Sequence, residues 1–237
     1  RAYALLTLAN SAGLPQARGA LAQMDEYISL EDRQAAQPLA ASLKAEAEAA
    51  RARDIRKRDL VLECVAQTRA PEQVPDYWLC CAPIRKGRID LIAEKACELG
   101  VAKLQPVLTR RAVVDKLNLD RLHAHLVEAA EQCGRTALPD LGSLMKLDAL
   151  LGNWDSRRHL FFADESGGAP LEQTLRAHPG PAAFLVGPEG GFDPQERDAV
   201  QATPGAVAVS LGPRILRAET AAIAATSAWM AINGDWN

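Results

Sequence analysis

Much that would classify a protein at a glance is missing from this 237-residue sequence. No apolar run reaches the roughly 18 residues of a membrane span, so no membrane association is expected. The first residues lack the basic and then apolar segments of a secretory leader, and an opening on Arg1 in place of Met reads as a trimmed start. Cysteine never occurs as C-x-x-C: Cys64, Cys80, Cys81, Cys97 and Cys133 need no bridge in a chain large enough to bury its own core, which points to a reduced, cytoplasmic protein. If Cys80 and Cys81 lie on a strand, they face opposite ways. The four histidines show no metal-ligand spacing, His123 and His125 facing different directions on a helix, and no metal is expected. An excess of positive charge is missing too. With 27 basic and 30 acidic side chains the net charge is −3, so any binding to RNA must rest on local patches. What is present is ordinary: 48% apolar and 24% charged residues, the proportions of a folded globular protein.

The composition changes along the chain. Residues 1 to about 52 are rich in Ala, Glu, Gln, Arg and Leu and read as helical, with Leu39 to Arg53 strong in propensity but poor in large apolar side chains. A basic run follows at Arg51, Arg53, Arg56, Lys57 and Arg58. LVLECVAQ (60–67) then reads as a strand, and the Pro-containing stretch 68–76 as a linker. This divides the chain into an N-terminal domain over 1–70 and a larger domain over 76–237.

In the larger domain short apolar runs alternate with amphipathic helices. Strands are expected at 77–84, 103–108, 159–163, 182–186 and 206–211. Ile89, Ile92, Ala93, Ala96 and Leu99 mark one helical face, ended by Gly100. A second helix runs from about Leu119 to Cys133, and a third is opened by Asp193, Pro194 and Glu196 in capping-box order. The last spans 218 to about 233 and stops at Gly234. Such alternation implies an α/β fold on a parallel sheet, whose ligand sites lie beyond the carboxyl ends of strands.

Two segments there carry unusual chemistry. In FLVGPEGGFD (184–193) an apolar strand runs into three glycines and a proline around Glu189, so the backbone can turn sharply and offer its amides to a ligand. The alternative is a tight connection with Glu189 solvated. It is neither a phosphate-cradling loop, since no Gly-Lys-Ser/Thr follows, nor a dinucleotide fingerprint. In LGPRILRAETA (211–221), Arg214, Arg217 and Glu219 crowd the entry to an otherwise apolar helix. Buried unpaired charge is costly, so either these groups form a site or Arg217 pairs with Glu219 or Glu189 and locks the loops.

Together, LVGPEGGF and LGPRILRAETA resemble the signature loops of the RsmE family, SPOUT-superfamily enzymes that methylate N3 of a uridine in bacterial 16S ribosomal RNA. APIRKGRIDLIAEKACELGV (82–101), QPVLTRR (105–111) and EAAEQCGR (128–135) match the same family in order, so the resemblance covers the chain from about Asp59 onward. It implies a parallel α/β sheet ending in a deep trefoil knot, a homodimer packed through the knot region, and S-adenosylmethionine as cofactor. By resemblance Val186, Gly187, Pro188, Gly190, Leu211, Gly212, Ile215 and Leu216 hold the cofactor. The resemblance further implies 16S rRNA, in the 30S subunit, as partner.

Uracil N3 must lose a proton before it can accept a methyl group. Glu189 and Glu219 are the candidate bases, and Arg214 and Arg217 the candidates to stabilise the charge that develops on the ring, with Arg217 expected to be required. Arg85, Lys86, Arg88, Arg110 and Arg111 are candidate phosphate contacts, which give affinity and little sequence information. Glu94, Lys95 and Glu98 read as a solvated helix face. Gln132 and Arg135 read as supports, of the site or of the fold. The family begins with a PUA-like β-barrel, whereas residues 1–52 show no succession of alternating strands. Two other functions therefore remain open: a SPOUT methyltransferase acting on another RNA, and a non-catalytic RNA-binding protein of ribosome assembly.

Overall fold

The computed structural model describes residues 65–67, 70–164 and 167–236. The helical segment 1–52, the basic run 51–58 and most of the strand expected at 60–67 lie outside the described residues. Residues 65–67 carry no regular structure. Nearly all described residues belong to one compact unit, Thr68–Asn237.

Among the described residues of this unit, eight strands form parallel pairs, separated by six helices. In chain order they are β1 (Tyr77–Cys81), α1 (Arg88–Glu98), β2 (Lys103–Leu108), α2 (Leu119–Cys133), β3 (Asp140–Leu141), β4 (Met145–Lys146), α3 (Leu147–Gly152), β5 (His159–Ala163), β6 (Ala169–Pro170), α4 (Leu171–Ala177), β7 (Ala182–Val186), α5 (Pro194–Gln201), β8 (Ala206–Ser210) and α6 (Ala218–Asn233). The strands lie in the order β3-β2-β1-β7-β5-β8-β6, with β4 also pairing with β2. The chain thus builds outward from β1 to β2 on one side and later inserts β7 on the other, which places a topological switch point between β1 and β7. Ala82 extends that pairing by donating to the Val186 carbonyl at 3.0 Å.

Both faces are covered, and the central strands β1 and β7 are apolar throughout for that reason. On one face Tyr77, Leu79 and Cys81 of β1 and Phe161 and Phe184 of β5 and β7 pack with α1, α2 and α6. The opposite cluster joins Cys80, Leu160, Phe162, Ala183 and Leu185 to Leu147 and Leu150 of α3, to Phe192, and to Val200 of α5. The adjacent cysteines therefore do point to opposite faces. Each fully buried Phe here contributes about 1.5–3 kcal/mol. Tyr77 stacks on Trp229 with ring centroids 4.6 Å apart and shares a hydrogen bond with Thr226 at 3.3 Å, so its hydroxyl is satisfied inside the core.

The helix ends follow local chemistry. Asn118 caps α2 by accepting from the Arg121 amide at 2.9 Å. Gly100, at φ 90°, takes the left-handed conformation that turns the chain from α1 into β2. Arg135 donates to the carbonyls of Cys97 at 2.6 Å and Val101 at 3.4 Å and pairs with Glu72 at 2.7 Å, so it supports the α1–β2 connection. Lys95 pairs with Glu94 and Glu98 along the surface of α1.

Candidate functional site

The segment after β7 is built to hold still. Val186 and Pro188 are buried, and a Cβ on Gly187 would stand 3.2 Å from the Phe192 ring, which packs against the turn. The Gly191 amide donates to the Pro188 carbonyl at 2.9 Å. Beyond it the capping box closes: Asp193 accepts from the Glu196 amide at 2.8 Å and Glu196 from the Asp193 amide at 3.2 Å. The Glu196 amide, and then the Arg110 guanidinium, hold the Asp193 carboxyl below the usual carboxylate range.

Two arginines clamp this segment from the end of β2. Arg110 donates its backbone amide to the buried Glu196 carboxylate at 2.7 Å and its guanidinium to Asp193 at 3.0 Å and to Gln195. Arg111 donates to the Gly190 carbonyl at 2.9 Å. Both were candidates for phosphate contact, and the fold uses both to fasten the glycine-rich loop. The signal that it would do so lies in the caps of α5, which offer carboxylates to a neighbouring strand end.

The second segment leaves β8 through Gly212, whose φ of 106° suits glycine, and enters α6 at Arg217. The amides of Arg214, Ile215 and Leu216 meet no backbone acceptor among the described residues. Such groups are strong donors free to meet a ligand. Leu211 and Leu216 lean on the core, while Ile215 is 89% exposed. Arg217 caps the helix in position only, with no side-chain hydrogen bond to it.

The two segments meet at one cavity of about 290 Å³, lined by Arg85, Arg88, Val113, Glu189 and Arg217. Arg85 and Arg88 follow β1, Val113 follows β2, Glu189 follows β7 and Arg217 follows β8, so the cavity sits beyond the carboxyl ends of strands and over the switch point. Four candidate residues from distant parts of the sequence are thereby brought together. Lys86 and Arg214 are exposed and do not line it. Sequence reasoning passed over Val113, 74% exposed, whose signal was only an apolar residue in a loop.

The charges pair otherwise than local spacing suggested. Glu219, in the first turn of α6 and 8% exposed, forms an ion pair with Arg88. Its other oxygen, Oε2, is buried and has no hydrogen-bond partner among the described residues. Neither Glu219 nor Glu189 pairs with Arg217, and among the described residues Arg217 makes no ion pair at all. No group of metal-binding side chains occurs among the described residues, and no described helix is long and apolar enough to cross a membrane.

Comparison with known proteins points the same way as the geometry. The family model of the RNA methyltransferase domain matches residues 71–230. Ribosomal RNA small subunit methyltransferase E of Rickettsia conorii is 30% identical over 173 residues, 73% of this chain and 71% of its own. The crystal structure of the protein of that name from Neisseria gonorrhoeae, bound to S-adenosyl methionine, is 31% identical with a TM-score of 0.65. It covers 73% of this chain and 72% of that one. A methyltransferase from Legionella pneumophila, in complex with the same cofactor, is 30% identical with a TM-score of 0.57 and covers 67% of each chain. The parallel α/β unit falls within the matched RNA methyltransferase domain, and the chain belongs to the RsmE family.

Proposed function

We propose that this chain transfers a methyl group from S-adenosylmethionine to N3 of a uridine in 16S ribosomal RNA within the 30S subunit. The observation that carries the reading is the convergence of Glu189, Arg217 and Arg88, the last ion-paired with Glu219, at one strand-end cavity. When bound, S-adenosylmethionine supplies an electrophilic methyl group on a sulfonium centre. Val186, Gly187, Pro188 and Gly190 of the first loop and Leu211, Gly212, Ile215 and Leu216 of the second would hold it. The amides of 214–216, which meet no backbone acceptor among the described residues, and the close packing at Gly187 suit that task, because a rigid loop with open donors holds a ligand at low entropic cost.

The residues then divide the work. Glu189 or Glu219 accepts the N3 proton, and the Arg217 guanidinium, with Arg214 three positions before it, offsets the negative charge that develops on the ring oxygens. Arg85 and Lys86, exposed and without ion-pair partners among the described residues, take RNA phosphates. A cavity of about 290 Å³ lies at the lower edge of the range for ligand sites, about 300–1,000 Å³. That size, with Val113 exposed in its lining and Ile215 exposed in the second loop, favours a site completed by a second copy of the chain packed through a knotted C-terminal region. Such an enzyme works in the cytoplasm, with residues 1–70 as a separate RNA-binding domain.

The test is to incubate the protein with labelled S-adenosylmethionine and either 30S subunits or naked 16S rRNA, and to map the labelled base. The expected result is label on N3 of one uridine, with 30S subunits preferred. Label on another nucleotide, or on transfer RNA alone, contradicts the substrate, and absence of cofactor binding by calorimetry contradicts the activity.

A further inference from the structure

We propose that Arg88, which lines the cavity, is a positioning residue: it holds the Glu219 carboxylate by its ion pair instead of contacting the RNA backbone. This rests on the methyl-transfer reading above and assigns one of its arginines a different task. Arg88 opens α1, where the helix dipole disfavours a cation, so its place is not explained by the helix it belongs to. Its backbone position is fixed locally: the Gly87 amide donates to Asp90 at 3.1 Å, and Asp90 is itself paired with Arg121 at 3.0 Å. From there the guanidinium reaches across 131 positions of sequence to Glu219.

Glu219 is the group that needs it. A carboxylate 8% exposed, with Oε2 buried and without a hydrogen-bond partner among the described residues, depends on Arg88, the cation paired with it there. An Arg88 turned outward to a phosphate would leave that carboxylate buried and alone, which costs far more than one solvated phosphate contact returns. The cavity's other two arginines, Arg85 and Arg217, carry no such commitment among the described residues. They remain for phosphate and base, while Arg88 stays committed to Glu219.

The experiment measures single-turnover methyl transfer at saturating 30S subunits, and RNA affinity against salt, for wild type, Arg88→Ala, Arg88→Lys, Glu219→Gln and the Arg88→Ala/Glu219→Gln double variant. Arg88→Ala is expected to slow the saturating rate by about 100-fold, the scale of a misplaced acid–base group, with affinity and salt slope unchanged. The double variant should be no slower than Glu219→Gln alone, and Arg88→Lys should recover part of the rate. An unchanged saturating rate, with weaker binding and a salt slope lower by about one, overturns the proposal in favour of a phosphate contact. Losses that multiply in the double variant overturn it as well. If Arg88→Ala fails to melt cooperatively, Arg88→Lys in the wild-type and Glu219→Gln backgrounds carries the same comparison. A wild-type protein that methylates neither RNA overturns the underlying reading, and the proposal with it.

Discussion

Replacing Glu196 by Ala should loosen the glycine-rich loop without touching the cavity. Glu196 is 4% exposed and accepts two backbone hydrogen bonds, from Arg110 at 2.7 Å and from Asp193 at 3.2 Å. A hydrogen bond to a charged group contributes about 1.5–3 kcal/mol, and taking both at the low end gives a total of about 3 kcal/mol. For a unit of this size each kcal/mol moves the melting temperature by about 2–4 °C, so a fall of about 6–12 °C is expected. Thermal unfolding followed by circular dichroism measures it. Glu196→Gln keeps one accepting oxygen but turns an amide donor toward the other N–H, and should fall between wild type and Ala. Because Arg110 and Asp193 flank the loop that carries Glu189, cofactor affinity should drop in the same order. A melting shift below about 2 °C for Glu196→Ala would refute the claim that this carboxylate ties β2 to the loop.

Three further outcomes follow from burial and close packing. Burial pushes the Cys80 and Cys81 thiols from 9.0 up to about 12, so a thiol reagent at pH 8 should label exposed Cys133 quickly and leave these two untouched until unfolding. Their neutral forms are the folded ones: as pH rises above 9.0 the unfolded chain releases these protons first, and stability should decline progressively toward about pH 12. Gly234→Ala should destabilise the end of α6 by about 1–3 kcal/mol, since its new Cβ would stand 2.7 Å from the Met230 Cα, and urea denaturation with an unchanged slope reads that loss.

The long elements were legible because each carries its own period. The α2 span Leu119–Cys133, the α5 capping box and the stop of α6 at Gly234 all depend on residues within a few positions of one another. The two-residue strands β3, β4 and β6 and the short helices α3 and α4 went unread, since two to seven residues are too few to show periodicity. The first strand was expected to reach Ile84 but pairs only to Cys81, where the chain turns toward the cavity. At the site, the residue types and their loops were visible, but their partners were not. Local spacing offered Glu219 or Glu189 to Arg217, whereas Glu219 is taken by Arg88, 131 positions away. Arg110 and Arg111 look like free surface charge in sequence, and only the fold brings them to carboxylates and a carbonyl 79 to 86 positions downstream.

The central claim is that Arg217, which lines the cavity and makes no ion pair among the described residues, acts on the chemical step. Single-turnover methyl transfer by Arg217→Ala, with cofactor affinity measured on the same sample by calorimetry, tests it most directly. Stabilisation of a developing charge by one such group is worth about 100–1,000-fold in rate, so a loss on that scale with cofactor binding intact is predicted. Full turnover by Arg217→Ala, with the cofactor bound as in wild type, would contradict the account.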